Sequence, residues 1–191
     1  YDIGLGIPAE PLFRSSSQSG RMTMKYVYKT EPWQHQKKAL SYLYKRDAAA
    51  LYTDMGTGKT KVMIDLMQSR GFKRILVVAP NRACEVWEEQ IGIHGVDDLF
   101  SVLRLNDMSV NKVITELSKE TPRRSQDEQN TIHVYIINYE KVWRKGIDRI
   151  LLRKTFGLDC VICDESHRIK TPNSKCSRYL SRLGKVVPHR Y

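Results

Sequence analysis

The chain has no long apolar run. No stretch approaches the about 18–20 consecutive apolar residues that a membrane-spanning helix requires. Residues 1–10 lack the basic segment and apolar core of a signal peptide. We therefore expect a cytoplasmic, intracellular protein that does not enter a membrane. A length of 191 residues suits one α/β domain with its own core better than two domains. Apolar residues make up 41% of the chain, which indicates a globular and not a disordered protein.

Cysteine is scarce, with four in the whole chain. Cys160 and Cys163 have the C-x-x-C spacing of some metal sites. However, residues 158–163 are predicted to form a buried strand, in which residues three apart point to opposite faces. The spacing therefore favours reduced core thiols over a metal site or a disulfide framework.

Acidic residues are fewer than basic ones, 21 against 32, so the net charge is +11. The imbalance lies mainly in residues 141–191, which hold 13 Lys and Arg against 4 Asp and Glu. A basic carboxy-terminal region indicates a polyanionic partner, and nucleic acid is the favoured class. A solvated basic surface without a partner is the alternative.

Strand-like and helix-like segments alternate from residue 24 onward, whereas residues 1–23 show no periodic pattern and are expected to be a flexible leader. Alternation of this kind predicts an α/β fold, with a mainly parallel sheet covered by helices on both faces and ligand sites at the carboxyl ends of its strands. Strands are predicted at residues 48–52, 74–79, 100–105, 132–138 and 158–163, and helices at 33–46, 60–70, 82–91, about 109–117 and 140–154.

A glycine-rich loop lies between the first predicted strand and the helix that starts at Thr60. Glycines let backbone N–H groups turn toward an anion, Lys59 can reach the β- and γ-phosphates, and the Thr60 hydroxyl can ligate Mg²⁺. Thr53 stands where the usual pattern has its first glycine. The predicted nucleotide-binding residues are Thr53, Asp54, Met55, Gly56, Thr57, Gly58, Lys59 and Thr60.

Two adjacent carboxylates, Asp164 and Glu165, end the apolar segment at residues 158–163. We predict that Asp164 holds Mg²⁺ together with Thr60, and that Glu165 orients the water that attacks ATP. His167 follows closely and is a candidate relay of the nucleotide state. The predicted catalytic set is thus Lys59, Asp164, Glu165 and His167, with ATP and Mg²⁺ as cofactors. A solvent-exposed acidic pair without a catalytic role is the alternative.

The two motifs together resemble the first RecA-like lobe of superfamily 2 helicases, in particular the Swi/Snf-type translocases. The segment 54–60 is similar to that group's D-x-M-G-x-G-K-T motif, and 164–175 resembles its D-E-A-H-R-I-K-N-x-x-S-K motif, with Ser166 in place of alanine. The resemblance covers about residues 31–187. It implies a RecA-like P-loop NTPase lobe over residues 24–191 and ATP-dependent translocation on DNA.

Further positions follow from the same resemblance. The segment Pro32-Trp33-Gln34 is similar to an element whose glutamine reads adenine, so Gln34 is the expected adenine contact and Gln36 the fallback. Pro80 and Asn81 are expected to face the nucleic-acid backbone, and Tyr139 to position the nucleic-acid strand.

Trp87 lies at helical spacing from its apolar neighbours and is predicted to belong to the core rather than to a base-stacking platform. Lys170, Lys175, Arg178 and Arg182 continue the basic region after the acidic motif. Phosphate contact and ordinary solvation remain open for each of these four side chains.

The resemblance implies a third motif and a second RecA-like lobe with an arginine finger, and we expect these to lie beyond the 191 residues. Arginine fingers contribute about 10³–10⁵ in rate, so the chain alone is expected to bind ATP weakly and hydrolyse it slowly. A non-motor module that binds ATP or nucleic acid is the alternative. A small-molecule kinase is disfavoured, because the chain contains no recognisable acceptor-binding motif.

Overall fold

A computed structural model describes residues 27–52, 56–120, 131–169 and 171–191. Within them, five parallel strands form one sheet in the order β2-β3-β1-β4-β5. The strands are β1 (Arg74–Ala79), β2 (Phe100–Arg104), β3 (Ile132–Asn138), β4 (Cys160–Cys163) and β5 (His189–Arg190). The helices are α1 (Gln34–Tyr44), α2 (Lys59–Arg70), α3 (Asn81–His94), α4 (Val110–Lys119), α5 (Ile147–Leu151) and α6 (Lys175–Val186), with a 3₁₀ turn at Ser166–Ile169.

The sheet separates two apolar cores, because the inner strands are apolar on both faces. On β1, Ile75 and Val77 belong to the core that contains α1, α2 and α3. Leu76 and Val78 belong to the opposite core, which contains α4, α5 and α6. This architecture confirms the predicted α/β class with a parallel sheet covered on both faces.

The apolar runs of β1 and β3 match their predicted bounds, and β4 begins two residues later than predicted. Cys160 lies in the core of α1–α3 and Cys163 packs against the core of α4–α6. The two thiols of the C-x-x-C spacing therefore point to opposite faces of the sheet, as predicted.

The helix predicted at residues 140–154 is wrong in extent, since α5 covers Ile147–Leu151 only. Gly146, just before α5, has a φ of +99°, which an L side chain rarely adopts. A Cβ atom there would also lie 2.5 Å from Cδ1 of Ile114 on α4. Close packing of this turn against α4 thus requires the glycine and delays the start of the helix.

The strand predicted at residues 48–52 is also wrong in extent. Ala48 forms a single parallel bridge with Arg190, and Tyr52 is 86% exposed. The neighbouring strand β5 contains two residues and offers few backbone groups for further pairing. Residues 47–49 nevertheless run parallel to β5, with hydrogen bonds from Ala49 N–H to the Arg190 carbonyl and from Arg190 N–H to the Asp47 carbonyl.

The remaining differences concern the chain ends. Helix α6 and strand β5 were not predicted from the sequence. The predicted leader, residues 1–23, lies outside the described residues. None of the helices in the described ranges is long and apolar enough to cross a membrane.

Candidate functional site

The glycine loop ends where α2 begins. Gly56 and Gly58 have φ angles of +78° and +75°, and Gly58 is the residue that immediately precedes α2. Lys59 and Thr60 form the start of this 12-residue helix. The first N–H groups of a helix have no acceptor within the helix itself, and the helix dipole favours an anion there. The predicted contacts Thr53, Asp54 and Met55 lie outside the described residues.

The side chain of Gln36 on α1 packs against the glycine loop. It is 4% exposed. Nε2 donates a hydrogen bond to the Thr57 carbonyl over 3.3 Å, and Oε1 accepts one from the Trp33 N–H over 2.8 Å. A Cβ atom on Gly58 would lie 2.2 Å from Nε2 of Gln36. Only glycine fits at residue 58 while Gln36 keeps this position.

The expected adenine contact, Gln34, has an exposed side chain on α1. The fallback residue, Gln36, and the neighbouring His35 are the ones that reach the loop, with Nε2 of His35 lying 3.0 Å from the Thr57 carbonyl oxygen. Gln36 contacts the described part of the loop and Gln34 does not, because the first turn of α1 directs residue 36 toward α2.

Asp164 follows the last residue of β4, and three groups hold it. Its N–H donates to the Val78 carbonyl over 2.9 Å, which continues the sheet by one residue. Its carboxylate oxygen Oδ2 accepts a hydrogen bond of 2.9 Å from the indole Nε1 of Trp87. Its carbonyl oxygen accepts one of 2.6 Å from the Tyr139 hydroxyl. The carboxylate is thereby fixed at the carboxyl edge of the sheet, and none of the hydrogen bonds between described residues engages Oδ1.

Trp87 is buried in the core of α1–α3, as predicted, but the hydrogen bond to Asp164 was missed. The signal that points to it is general: a buried tryptophan needs an acceptor for its N–H. The sequence does not tell which acceptor, because Trp87 and Asp164 are 77 positions apart.

Tyr139 was expected to position the nucleic-acid strand, and it lies in the core of α4–α6 and not at the surface. The side chain is buried, and its hydroxyl hydrogen-bonds the Asp164 carbonyl. Burial, followed by the neighbouring Cys163 and Asp164, raises the pKa of Tyr139, so its hydroxyl stays a neutral donor. Tyr139 contacts the acidic motif, because the turn after β3 directs its side chain into the core.

Glu165 has a φ of +50°, in the left-handed region that costs a non-glycine residue about 1–3 kcal/mol. Its side chain is 45% exposed, and its carboxylate lies 3.6 Å from Nε of Arg168. His167 is exposed on the 3₁₀ turn. The strained backbone directs the second carboxylate away from the sheet and toward solvent.

The glycine loop and the acidic pair lie at one edge of the sheet. Ala48, which precedes the loop, pairs with β5, and β5 pairs with β4, all in parallel. Parallel strands bring their carboxyl ends to the same edge. Two strand spacings of about 4.8 Å place Ala48 about 10 Å from β4 across the sheet. The joint action of the two motifs in nucleotide hydrolysis stays a prediction.

An asparagine network occupies the same edge at the ends of β1 and β3. Oδ1 of Asn81 accepts hydrogen bonds from the amides of Asn138, over 2.9 Å, and Asn106, over 3.1 Å. Asn81 is exposed, as a contact to nucleic acid requires, whereas Pro80 is buried. Of the two residues expected to face the nucleic-acid backbone, the structure places only Asn81 at the surface.

Three of the four basic residues after the acidic motif lie on α6. Lys175, Arg178 and Arg182 are exposed on α6, which packs against the opposite face of the sheet from α2. Lys170 lies outside the described residues.

An ion pair is buried in α2 directly behind the glycine loop. Nζ of Lys61 lies 2.7 Å from Oδ2 of Asp65, one helical turn away. Nζ of Lys61 also lies 5.6 Å from the centre of the Tyr28 ring. Burial, and then the negative charge of Asp65, raise the pKa of Tyr28. The pair links the first turn of α2 to the segment that precedes α1.

Comparisons with known proteins agree with this geometry. The chain is 29% identical over 142 residues to protein CHROMATIN REMODELING 25 of Arabidopsis thaliana, which covers 70% of the chain and 15% of the relative. It is 28% identical over 170 residues to the mouse DNA repair and recombination protein RAD54B, covering 78% of the chain and 17% of the relative. The chain therefore spans less than a fifth of the length of these relatives.

The fold is similar to that of a solved structure, the Sulfolobus solfataricus SWI2/SNF2 ATPase core in complex with dsDNA. The TM-score is 0.62 at 20% identity, and the match covers 86% of the chain and 32% of the solved chain. This likeness confirms the RecA-like α/β fold. Residues 35–187 match the family described as the SNF2-related domain, and we conclude that the chain belongs to this family, as an ATPase lobe of the Swi/Snf type.

Proposed function

We propose that the chain is the ATP-binding lobe of an ATP-dependent DNA translocase of the helicase type. One observation carries the proposal: the glycine loop at the start of α2 and the tethered carboxylate of Asp164 lie at one edge of a parallel sheet. The relatives are named for DNA repair, recombination and chromatin remodelling, and the similar solved structure holds dsDNA. These names favour DNA as the polymer. A second RecA-like lobe is the expected partner.

The residues present fit ATP and Mg²⁺. Gly56 and Gly58 adopt the left-handed backbone that exposes N–H groups to phosphate, and Gly58 leaves no room for a side chain. Lys59 would neutralise the β- and γ-phosphates, and the Thr60 hydroxyl with Oδ1 of Asp164 would hold Mg²⁺. Mg²⁺ supplies charge neutralisation on the phosphates when bound.

Three further residues have proposed roles. Glu165 would orient the attacking water, and the strain in its backbone is consistent with a functional constraint. His167, exposed beside it, would sense the nucleotide state. We assign the adenine contact to Gln36 in preference to Gln34, because Gln36 is the glutamine that touches the loop.

Two substitutions test the assignment. Lys59→Ala removes the phosphate's cation and should abolish ATP binding by the 191-residue chain, measured by calorimetry with Mg²⁺. Glu165→Gln should keep ATP binding and stop hydrolysis. Lys38→Ala, an exposed lysine on α1, is the control and should change neither. Normal turnover by Glu165→Gln would refute its role with water.

The chain alone is expected to hydrolyse ATP slowly, since an arginine finger from a second lobe contributes about 10³–10⁵ in rate in related systems. ATPase rates with and without duplex DNA, measured on the chain and on a longer protein that contains both lobes, test this. Rapid DNA-stimulated turnover by the 191 residues would contradict it. ATP binding without DNA stimulation in the longer protein would identify a non-motor module.

A further inference from the structure

A recess of about 370 Å³ opens beside α6. Its lining combines three cationic side chains of α6 with two aromatic side chains, and consists of Trp143, Lys175, Arg178, Tyr179 and Arg182. Residues 175, 178 and 182 are spaced by three and four positions, so they share one face of the helix. None of the residues proposed to contact ATP lines this recess.

Within the described ranges, ion pairs do not neutralise the cations that line the recess. Among the ion pairs of the described residues, none includes Lys175, Arg178 or Arg182. The aromatic ring of Trp143 brings two cations together, with Nζ of Lys175 at 5.5 Å and Cζ of Arg144 at 4.7 Å from its centre. A cluster of like charges that form no ion pairs favours an anionic ligand.

Tyr179 provides a second, independent observation. Its side chain is 2% exposed, and within the described ranges its hydroxyl has no hydrogen-bond partner. Burial, followed by the negative charge of Asp148, raises the pKa of Tyr179, so the phenol stays protonated at neutral pH. A buried hydroxyl with no partner is uncommon in folded proteins and calls for an explanation. Tyr179 also lines the recess, so a ligand oxygen that reaches this covered hydroxyl would accept its hydrogen bond.

The recess lies on the opposite side of the sheet from the glycine loop. Helix α6 packs through Leu180 and Leu183 into the core that contains Leu76 and Val78. Helix α2 packs into the other core. A ligand in the recess would therefore not compete with ATP for space.

We propose that this recess binds a backbone phosphate of nucleic acid, in a contact separate from the ATP site. A phosphate group has several acceptor oxygens and can take hydrogen bonds from both arginines and from the Tyr179 hydroxyl at once. An acidic peptide is disfavoured, because the apolar surface that would bind its other side chains is limited to a tryptophan ring already flanked by cations. The inference extends the proposed function by locating part of the DNA contact, and it does not require bound ATP.

The test measures binding of fluorescein-labelled duplex DNA to the 191-residue chain by anisotropy, in 50–200 mM salt. Arg178→Gln and Arg182→Gln should each weaken binding about three- to tenfold and reduce the slope of log K against log[salt] by about 0.9. Lys38→Gln makes the same change of charge on α1 and should leave the binding unchanged. Equal effects of all three variants would overturn the proposal.

The Tyr179→Phe variant distinguishes a specific hydrogen bond to phosphate from the general electrostatic attraction between DNA and the basic recess. It removes one hydroxyl and no charge, so binding should weaken severalfold while the salt slope stays the same. If the orphan hydroxyl has no ligand, Phe is tolerated and binding does not change, which would overturn the proposal. Circular dichroism of each variant verifies that the fold is retained.

Two further measurements separate the outcomes. Polyglutamate is added as a competitor of DNA. If the Arg178→Gln variant loses polyglutamate binding but keeps DNA binding, the recess is a peptide site, contrary to the proposal. MgATP binding is measured in every variant and should stay unchanged. Wild-type chain that binds DNA through α6 but does not bind ATP would refute the proposed function and leave this inference standing.

Discussion

Trp87 is a core residue whose indole also contacts the acidic motif. Its N–H donates to the carboxylate of Asp164 over 2.9 Å, and a hydrogen bond to a charged group contributes about 1.5–3 kcal/mol. The bond also orients the carboxylate, since it engages Oδ2 and leaves Oδ1. Trp87 is thus a positioning residue for the expected metal ligand.

Trp87→Phe keeps an aromatic ring in the core and removes the donor. We expect Mg²⁺-dependent ATP binding to weaken about tenfold or more, in the range found for groups that orient metal ligands. ATP binding without Mg²⁺ should change little. Titration of Mg²⁺ at constant nucleotide measures the difference. Trp143→Phe, on the opposite side of the sheet, is the matched control, and similar Mg²⁺ affinities in both variants would contradict the assignment.

Gly56 and Gly58 share a left-handed backbone but differ in their surroundings. A Cβ atom at Gly56 has nothing within 4 Å, whereas one at Gly58 would lie 2.2 Å from Nε2 of Gln36. Gly56→Ala should therefore lower the free energy of unfolding by about 1 kcal/mol, the cost of the backbone conformation alone. Gly58→Ala should cost clearly more.

Gln36→Ala tests this contact directly. In the double variant the side chain that meets the new Cβ atom is absent, so the cost of Gly58→Ala should fall toward that of Gly56→Ala. Urea unfolding of the four proteins gives the coupling energy. Additive costs would show that Gln36 does not limit residue 58.

At the scale of the element, α2 combines a phosphate-facing start with a buried ion pair. Lys61 and Asp65 are one turn apart, and both are buried. Two buried charges are tolerated because each compensates the other, and removal of one leaves an uncompensated charge. The pair therefore fixes the packing of α2 more than it adds to net stability.

Asp65→Asn should lower the free energy of unfolding by about 3–5 kcal/mol. The double replacement Lys61→Met with Asp65→Leu should recover most of that loss, because no charge remains buried. Lys119→Met breaks an exposed pair with Glu116 and should cost less than about 1 kcal/mol. Urea unfolding measures all three, and equal costs for the two single variants would contradict the argument.

At the scale of the whole molecule, two histidines make stability depend on pH. Burial, and then the positive charge of Lys61, lower the pKa of His94. Burial, and then Arg70, lower the pKa of His189. A lowered pKa means that the unfolded chain binds the proton more tightly, so protonation favours unfolding.

The free energy of unfolding should therefore be at its plateau above about pH 6.5, the ordinary histidine value, and decrease as the pH falls through the lower pKa values of the folded protein. Urea unfolding between pH 8 and pH 5.5 measures the change. His94→Gln and His189→Gln should flatten the curve, and a double variant with the wild-type pH dependence would contradict the origin proposed here.

The glycine loop and the acidic motif could be recognised from the sequence because the residues of each are contiguous. Lys59 and Thr60 follow a glycine directly, and Asp164 and Glu165 follow an apolar run, so local spacing indicates their chemistry. The buried strands β1 and β3 were recognisable for a similar reason, as runs of β-branched residues. The sequence offered Gln34 as the adenine contact and Gln36 as the fallback. Only the direction of α1 shows that Gln36 is the glutamine that reaches the glycine loop.

By itself, then, the sequence determined the α/β class, the two motifs and the excess of positive charge toward the carboxyl end, since each depends on neighbours along the chain. Tertiary structure alone decided that Trp87 orients Asp164, that Tyr139 is buried, and that three cations of α6 line one recess together with Trp143 and Tyr179. These contacts join residues far apart in sequence, and which of them meet depends on how the helices pack on the two faces of the sheet.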